Sequence, residues 1–134
     1  MNNLSELGDQ FTIPGKPIAM MRARTLKSGR TYNPQAELKK TISLVLSSQH
    51  RSKKIYSAPL KLFLIFMLPI PKSKKKTVPG AWVTTRPDLD NYIKFTLDCL
   101  QHANLITDDS HIVHLTTEKL YSLEPCTQIF IKTL

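Results

Sequence analysis

A chain of 134 residues with 41% hydrophobic content has the length of one domain and enough apolar side chains to bury its own core. Its 19 Lys and Arg against 10 Asp and Glu (19 − 10 = +9) give a strongly basic protein with a pI near 9.7, which points to polyanionic partners. Two cysteines, Cys99 and Cys126, exclude a disulfide framework and a four-ligand zinc site, and the longest apolar run falls well short of the roughly 20 residues that span a bilayer.

In chain order, residues 1–9 are polar and mildly acidic, lack the features of a secretory leader, and read as a disordered lead-in. Together with the sparse cysteines, this leads us to expect a reducing, cytoplasmic setting without a membrane partner. Residues 10–13 predict a short strand ended by Pro14-Gly15. Residues 16–33 lack apolar periodicity and read as a long basic loop holding Lys16, Arg22, Arg24, Lys27 and Arg30, with a turn signal at Ser28-Gly29. Asn33 as N-cap and Pro34 at the first helical position predict a helix over 34–49, with Leu38, Ile42, Val45 and Leu46 as its buried stripe. Residues 60–68, rich in Leu, Ile and Phe between Pro59 and Pro69, predict a central strand buried on both faces.

A second long loop follows over 69–87, with Pro71, Pro79 and Gly80 as breakers. It carries the nearly continuous positive run Lys72, Lys74, Lys75 and Lys76, and then Arg86. Leu89, Ile93, Leu97 and Leu100 recur at helical spacing, so residues 90–102 predict an amphipathic helix. A turn at 107–110 leads to a strand over 112–121 and a last strand over 127–132. The order β, α, β, α, β, β predicts a single α/β domain of α+β type: a small mixed β-sheet, two helices packed together on one face, and long basic loops.

The charges are unevenly placed. No acid occurs between Glu37 and Asp88, whereas Asp88, Asp90, Asp98, Asp108 and Asp109 make up five of the ten acids. A basic background attracts a polyanion by releasing its counterions; the acidic island repels that polyanion unless a cation sits on it. Solvated surface lysines explain the charge equally well, since charge alone carries no claim about chemistry.

The informative segment is Arg86-Pro87-Asp88-Leu89-Asp90-Asn91-Tyr92-Ile93-Lys94. Asp90 and Lys94 are four apart on one helix face, their Cβ atoms about 5–6 Å apart. Asn91 and Asp98 extend the same polar stripe. Carboxylates crowded together repel one another and take up protons unless a divalent cation neutralises them. Short Asp side chains suit Mg²⁺ or Mn²⁺, which bridge to phosphate oxygens, and a neighbouring lysine meets the charge that grows on phosphorus. The same residues also admit a plainer account: Asp88 as a helix cap, Asp90 as a first-turn acid paired with Lys94, and Asp108-Asp109 as a turn. Physics leaves both readings open. Trp82 in the second loop is either a loop anchor or a base-stacking residue. His50, His102, His111 and His114 make no metal-spaced pair on one helix.

The run Arg86-Pro87-Asp88-Leu89-Asp90-Asn91 with Lys94, then Leu97-Asp98, and then Asp108-Asp109-Ser110 before a strand resembles the RusA family of Holliday junction resolvases. That resemblance implies a small homodimeric endodeoxyribonuclease of bacteria and prophages, dependent on Mg²⁺ with Mn²⁺ as a substitute. It implies Asp88, Asp90 and Asp109 as metal-binding carboxylates, Lys94 as the catalytic lysine, and Asp108 as a residue positioning its neighbour. His111 and Gln101-His102 depart from the family pattern. The expected partner is four-way junction DNA, resolved by paired symmetric hydrolysis of phosphodiesters in recombination and repair. Its phosphates would be met by Lys16, Arg22, Arg24, Lys27, Arg30, Lys72, Lys74, Lys75, Lys76 and Arg86. Two alternatives stand beside this reading: a non-catalytic basic DNA-binding module, and a general metal-dependent structure-specific nuclease.

Overall fold

In the computed structural model, which describes residues 4–134, the chain from Leu4 to Leu7 forms a short 3-10 turn and β1 follows at Asp9–Pro14. The expected lead-in therefore carries structure from Leu4 onward, and residues 1–3 lie outside the described residues. Phe11 and Ile13 alternate inward along β1, which pairs antiparallel with β6 (Cys126–Thr133). Gly8 joins the turn to the strand at φ +100°, and a Cβ placed there would meet the Ile131 carbonyl oxygen at 2.1 Å. Only glycine fits this close approach to the neighbouring strand.

The first basic loop is not structureless. Arg24–Thr25 (β2) and Thr31–Tyr32 (β3) pair as a small hairpin, turned at Gly29 with φ +86°. Short strands of this kind leave no hydrophobic periodicity to read, which is why the loop reading missed them.

Helix α1 (Ala36–Gln49) starts two residues later than the Asn33-Pro34 signal predicts. The Asn33 side chain accepts from the Gln35 backbone N–H at 2.9 Å, making a turn ahead of the helix rather than a cap on it. Ile42 and Leu46 are buried as predicted, Val45 is half-buried, and Leu38 is exposed. Ser43 takes a buried place on that face instead, its hydroxyl donating to the Lys39 and Cys99 carbonyls.

β4 (Leu60–Pro69) is the inner strand of the order β1-β6-β4-β5, antiparallel to β6 and parallel to β5 (Ile112–Ser122). Its burial alternates strictly: Leu60, Leu62, Leu64, Phe66 and Leu68 are buried, and the residues between them are half-buried. The expectation of two buried faces fails here. The helices cover one face, and on the other Phe63 rests edge-on against Phe130 of β6, their rings 6.0 Å apart.

Helix α2 (Leu89–His102) links the parallel strands β4 and β5. It ends in a left-handed Asn104 (φ +60°), with the Leu105 N–H donating to the Leu100 carbonyl at 3.1 Å. Tyr92, Phe95, Cys99 and Leu100 of α2 share one core with Ile42 and Leu46 of α1, the inward face of β4, and Ile129 and Ile131 of β6. The two helices pack on each other, as expected. Burial pushes the Cys99 thiol up to about 12, which leaves it a packing group without nucleophilic character. No helix among the described residues is long and apolar enough to cross a membrane.

Candidate active site at the start of the second helix

Pro87 and Asp88 lead into α2, and the loop ahead of them is pinned from the sheet. The Lys119 ammonium of β5 donates to the carbonyls of Thr85 (2.7 Å) and Pro87 (2.8 Å), fixing the path of the chain into the helix. Asp88 stands in the N-cap position in extended conformation, but its side chain makes no capping hydrogen bond. The only ion pair among the described residues joins Lys39 to Asp98, so Asp90 and Lys94 are not a surface pair either. Asp88 thus makes no cap, and Asp90 keeps its first-turn place against the helix dipole without an ion-pair partner. Asp88, Asp90 and Lys94 are all exposed.

Asp90, Lys94 and Asp98 repeat every four residues, so they rise along one face of α2 about 6 Å at a time. Lys94 and Asp98 line an open cleft of about 460 Å³ with Asn91, Met20, Met21 and Arg22. This brings Arg22 of the first basic loop beside the expected catalytic lysine. Two long-range ties hold the loop there. The Met20 N–H donates to the Asn91 carbonyl at 2.9 Å. Gln35, buried at the head of α1, accepts from the Met21 N–H and donates to the Ala19 carbonyl, both at 2.8 Å. Asp98 is held from α1 by Lys39 at 3.0 Å, and the Lys39 ammonium also sits 5.9 Å from the Phe95 ring centre.

Asp109 begins a 3-10 turn, Asp109–His111, that packs against α2. Asp108 caps this turn, its carboxylate accepting from the Ser110 N–H at 3.1 Å. That hydrogen bond, with a second one to Asp109, holds Asp108 below the usual carboxylate range. Asp109 moves the other way: its hydrogen bond with Asp108 raises it first, then partial desolvation, then the negative charges of Asp108 and Asp98. The charge of Asp98, the stripe residue farthest from the helix start, is among the causes acting on Asp109. His111 turns a buried ring Nδ1 inward, with no partner among the described residues.

Among the described residues no three His, Cys, Asp or Glu side chains stand together at metal-holding spacing, so Asp88, Asp90 and Asp109 do not form a closed cage. Their chemistry nonetheless fits a hard divalent cation: oxygen donors only, two of them with no hydrogen-bond cap or ion pair and the third raised by its carboxylate neighbours. Like charges hold such groups apart until a cation lies between them.

The remaining basic residues of the sequence reading are exposed. Lys16 and Arg86 flank a cavity next to Pro87. Arg24 lies on β2, Lys27 and Arg30 at the hairpin turn, and Lys72 and Lys74 in a 3-10 turn followed by Lys75 and Lys76. Trp82 is 65% exposed although its backbone is bridged to Leu120, so its ring is not a buried anchor. His50 is a core residue, bonded to the Lys54 carbonyl and stacked on Tyr56. Sequence reasoning missed Gln35, Lys39 and Lys119, whose partners lie far away in the chain and leave no local signal.

Fold and site together define a basic α+β protein whose acidic helix start has Lys16, Arg22 and Arg86 close by. The chain belongs to the Endodeoxyribonuclease RusA family, whose sequence model matches residues 14–132. It is 35% identical to the uncharacterized protein YqaN of Bacillus subtilis (strain 168), over 92% of this chain and 94% of that one. It is also 41% identical, over 48% of this chain and 47% of the relative, to the crossover junction endodeoxyribonuclease rusA of Lactococcus phage r1t. The family resemblance read from the aspartate motif therefore holds across most of the chain.

Proposed function

We propose that this chain is a metal-dependent endodeoxyribonuclease that resolves four-way DNA junctions as a homodimer. Asp88, Asp90 and Asp109 are the residues that would hold Mg²⁺, or Mn²⁺ in its place, because short oxygen donors suit ions that keep several waters. A cation held there supplies Lewis-acid activation of the attacking water and charge for the leaving oxygen. Lys94 offers its ammonium to the phosphate oxygens, where negative charge grows in the transition state. Asp108 holds the turn that carries Asp109, and Gln35 and Lys119 hold the two loops that enclose the site. Lys16, Arg22, Arg24, Lys27 and Arg30, with Lys72, Lys74, Lys75, Lys76 and Arg86, bind flanking phosphates without reading sequence. Resolution needs two symmetric nicks, and one chain carries one acidic island; a C2 dimer supplies the second site.

The observation that carries this reading is the idle pair at the helix start. In a chain of the RusA family, Asp88 does not cap the helix it opens and Asp90 does not pair with Lys94. The test is a synthetic four-way junction incubated with the purified protein in Mg²⁺ or in EDTA. Paired nicks are expected in Mg²⁺ alone. Asp90→Asn and Asp109→Asn are expected to lose nicking by at least about 100-fold while junction binding persists, in line with the loss of a group acting on transition-state charge. Lys94→Ala is expected to lose turnover at unchanged metal affinity. Binding without Mg²⁺-dependent nicking would leave a DNA-binding module, and equal cutting of junction, flap and duplex would leave a general nuclease.

A further inference from the structure

The two edges of the sheet β1-β6-β4-β5 differ in their cover. At β1 the Gln49 side chain closes the outer edge: it accepts from the Thr12 N–H at 2.8 Å and donates to the Thr12 carbonyl at 2.7 Å. At β5, residues 80–83 cover only the far end. Gly80 and Val83 donate there to the Tyr121 and Lys119 carbonyls, and the Tyr121 N–H donates to the Ala81 carbonyl. Backbone groups alternate along a strand, so those of Leu115 and Thr117 point the same way as those of Lys119 and Tyr121, and no strand among the described residues meets them. Residues 112–118 hold no lysine, arginine or proline to protect this edge, and their one register shift against β4 lies at the start, after Ile112. Val113 (64%) and Leu115 (39%) are exposed on it. The flank of α2 on this side is thinly covered too. Ile93 lies about 140° around the helix from Asp98, which Lys39 of α1 holds, so Leu89, Ile93 and Leu97 face away from α1 and are only half-buried.

We propose that β5 pairs antiparallel with β5 of a second copy about a twofold axis at Leu115, so that Asp109 of each chain completes the acidic site of the other. In this register Leu115 meets itself, Glu118 meets Ile112 and His114 meets Thr116, so no like charges stand opposed. Continued outward, the register brings Asp109 level with the partner's Tyr121. That end of β5 is the one tied to the approach of α2: Gly80 bonds Tyr121, and the Lys119 ammonium holds the Pro87 carbonyl, next to Asp88. A twofold perpendicular to the joined sheet leaves both helix layers on one face, with the half-buried flanks of the two α2 helices toward each other. Within one chain, the described acids do not gather. The turn of Asp109 packs against α2, and the α2 acid whose charge acts on it is Asp98, about 12 Å of helix rise beyond Asp90. The second copy thus supplies the carboxylate that the helix start lacks. This inference rests on the nuclease reading for the use of the shared site, but the pairing of the edges requires neither DNA nor a metal.

The pairing is tested first on the metal-free full chain. Leu115→Lys and Val113→Lys, both at exposed positions, are each expected to keep the far-UV circular dichroism of the wild type and to weaken the dimer at least about tenfold by light scattering. The Thr117 amide is expected to exchange with solvent at least about 100-fold more slowly in the wild type than in either variant. Unchanged dimer affinity in both variants, or equal Thr117 exchange in all three proteins, overturns the proposal while leaving the nuclease reading intact. The shared site is tested by subunit exchange between Asp90→Asn and Asp109→Asn. A mixed dimer holds one intact site if each site draws on both chains, and none if each is built within one chain. The mixture is therefore expected to bind Mn²⁺ at about a quarter of the wild-type sites, since half of its dimers are mixed and one of their two sites is whole. Either variant alone is expected to bind Mn²⁺ at least about tenfold more weakly than the wild type, through the loss of one ligand. The mixture is also expected to nick one strand of a four-way junction. A mixture that binds Mn²⁺ no better than its parts overturns the shared site. Mn²⁺ binding regained on mixing, in a protein whose wild type cuts no junction, supports the shared site and removes the nuclease.

Discussion

Asp108 and Asp109 are neighbours in the chain yet are pushed in opposite directions. The Ser110 N–H stabilises the Asp108 carboxylate, and Asp109 keeps its proton longer because it shares a hydrogen bond with Asp108 and faces the charges of Asp108 and Asp98. Below that raised range a cation arriving at Asp109 competes with the proton. Metal affinity is therefore expected to rise with pH through the raised range of Asp109 and to level off above it. A carboxyl NMR titration of the metal-free protein checks the cause: Asp109 is expected to titrate above the ordinary aspartate range and Asp108 below it. Asp108→Asn removes a like charge and turns an acceptor into a donor, so it is expected to bring Asp109 down. Both carboxyls titrating together at the ordinary value would contradict this account.

At the scale of elements, the fold and the site depend on pieces distant in sequence being held together. The 3-10 turn at Leu4–Leu7 reaches β6 through Gly8, whose absent side chain lets the chain pass the Ile131 carbonyl. Gly8→Ala combines a positive φ with a direct backbone clash and is expected to cost at least about 1–3 kcal/mol. Calorimetry should show this as a fall in melting temperature of several degrees. Gly15→Ala is the control, since it shares a positive φ but has nothing within 4 Å of the added carbon. A fall for Gly15→Ala as large as for Gly8→Ala would place the cost in backbone conformation and remove the clash from the account. The same dependence on distant partners governs the first basic loop. Gln35 fastens it to α1 and the Met20–Asn91 bond fastens it to α2, so Arg22 is presented to the cleft by residues that no local pattern marks.

Over the whole molecule, the basic loops and the acidic island are separate segments of the chain, and each sign of charge has its own consequence. Lys74 and Lys75 are exposed, and in the proposed function they serve affinity for DNA rather than the chemistry at α2. Replacing both with alanine is expected to weaken binding alike on all sequences and to flatten the dependence of log K on log salt by about 1–2, as two phosphate contacts are lost. A changed preference among cutting positions would instead mean that these lysines touch bases. Dimerisation belongs to this scale too. Light scattering on the eluting protein is expected to give twice the 15.3 kDa chain mass, and a monomer at every concentration would end the paired-nick proposal.

The amino-acid sequence alone determined the order of the main elements, the family, and the acidic motif with its lysine; it placed the inward face of α2 one step off, for Tyr92, Phe95 and Cys99 are buried with Leu100 whereas Leu89, Ile93 and Leu97 are only half-buried at the edge of the core. Each of these is written in short-range periodicity or in spacings a helix converts directly into a face. Only the tertiary structure decided that β4 has one covered face rather than two, since an apolar run reads the same whether a second layer covers it or not. It also decided that Asn33 turns the chain without capping α1, that Asp88 makes no cap and Asp90 no ion pair, and that Asp109 comes into the field of Asp98. The open edge of β5 is of the same kind: a strand's outer backbone groups are covered or free only by what distant segments place beside them, and residues 80–83 reach no further than Lys119 to Tyr121.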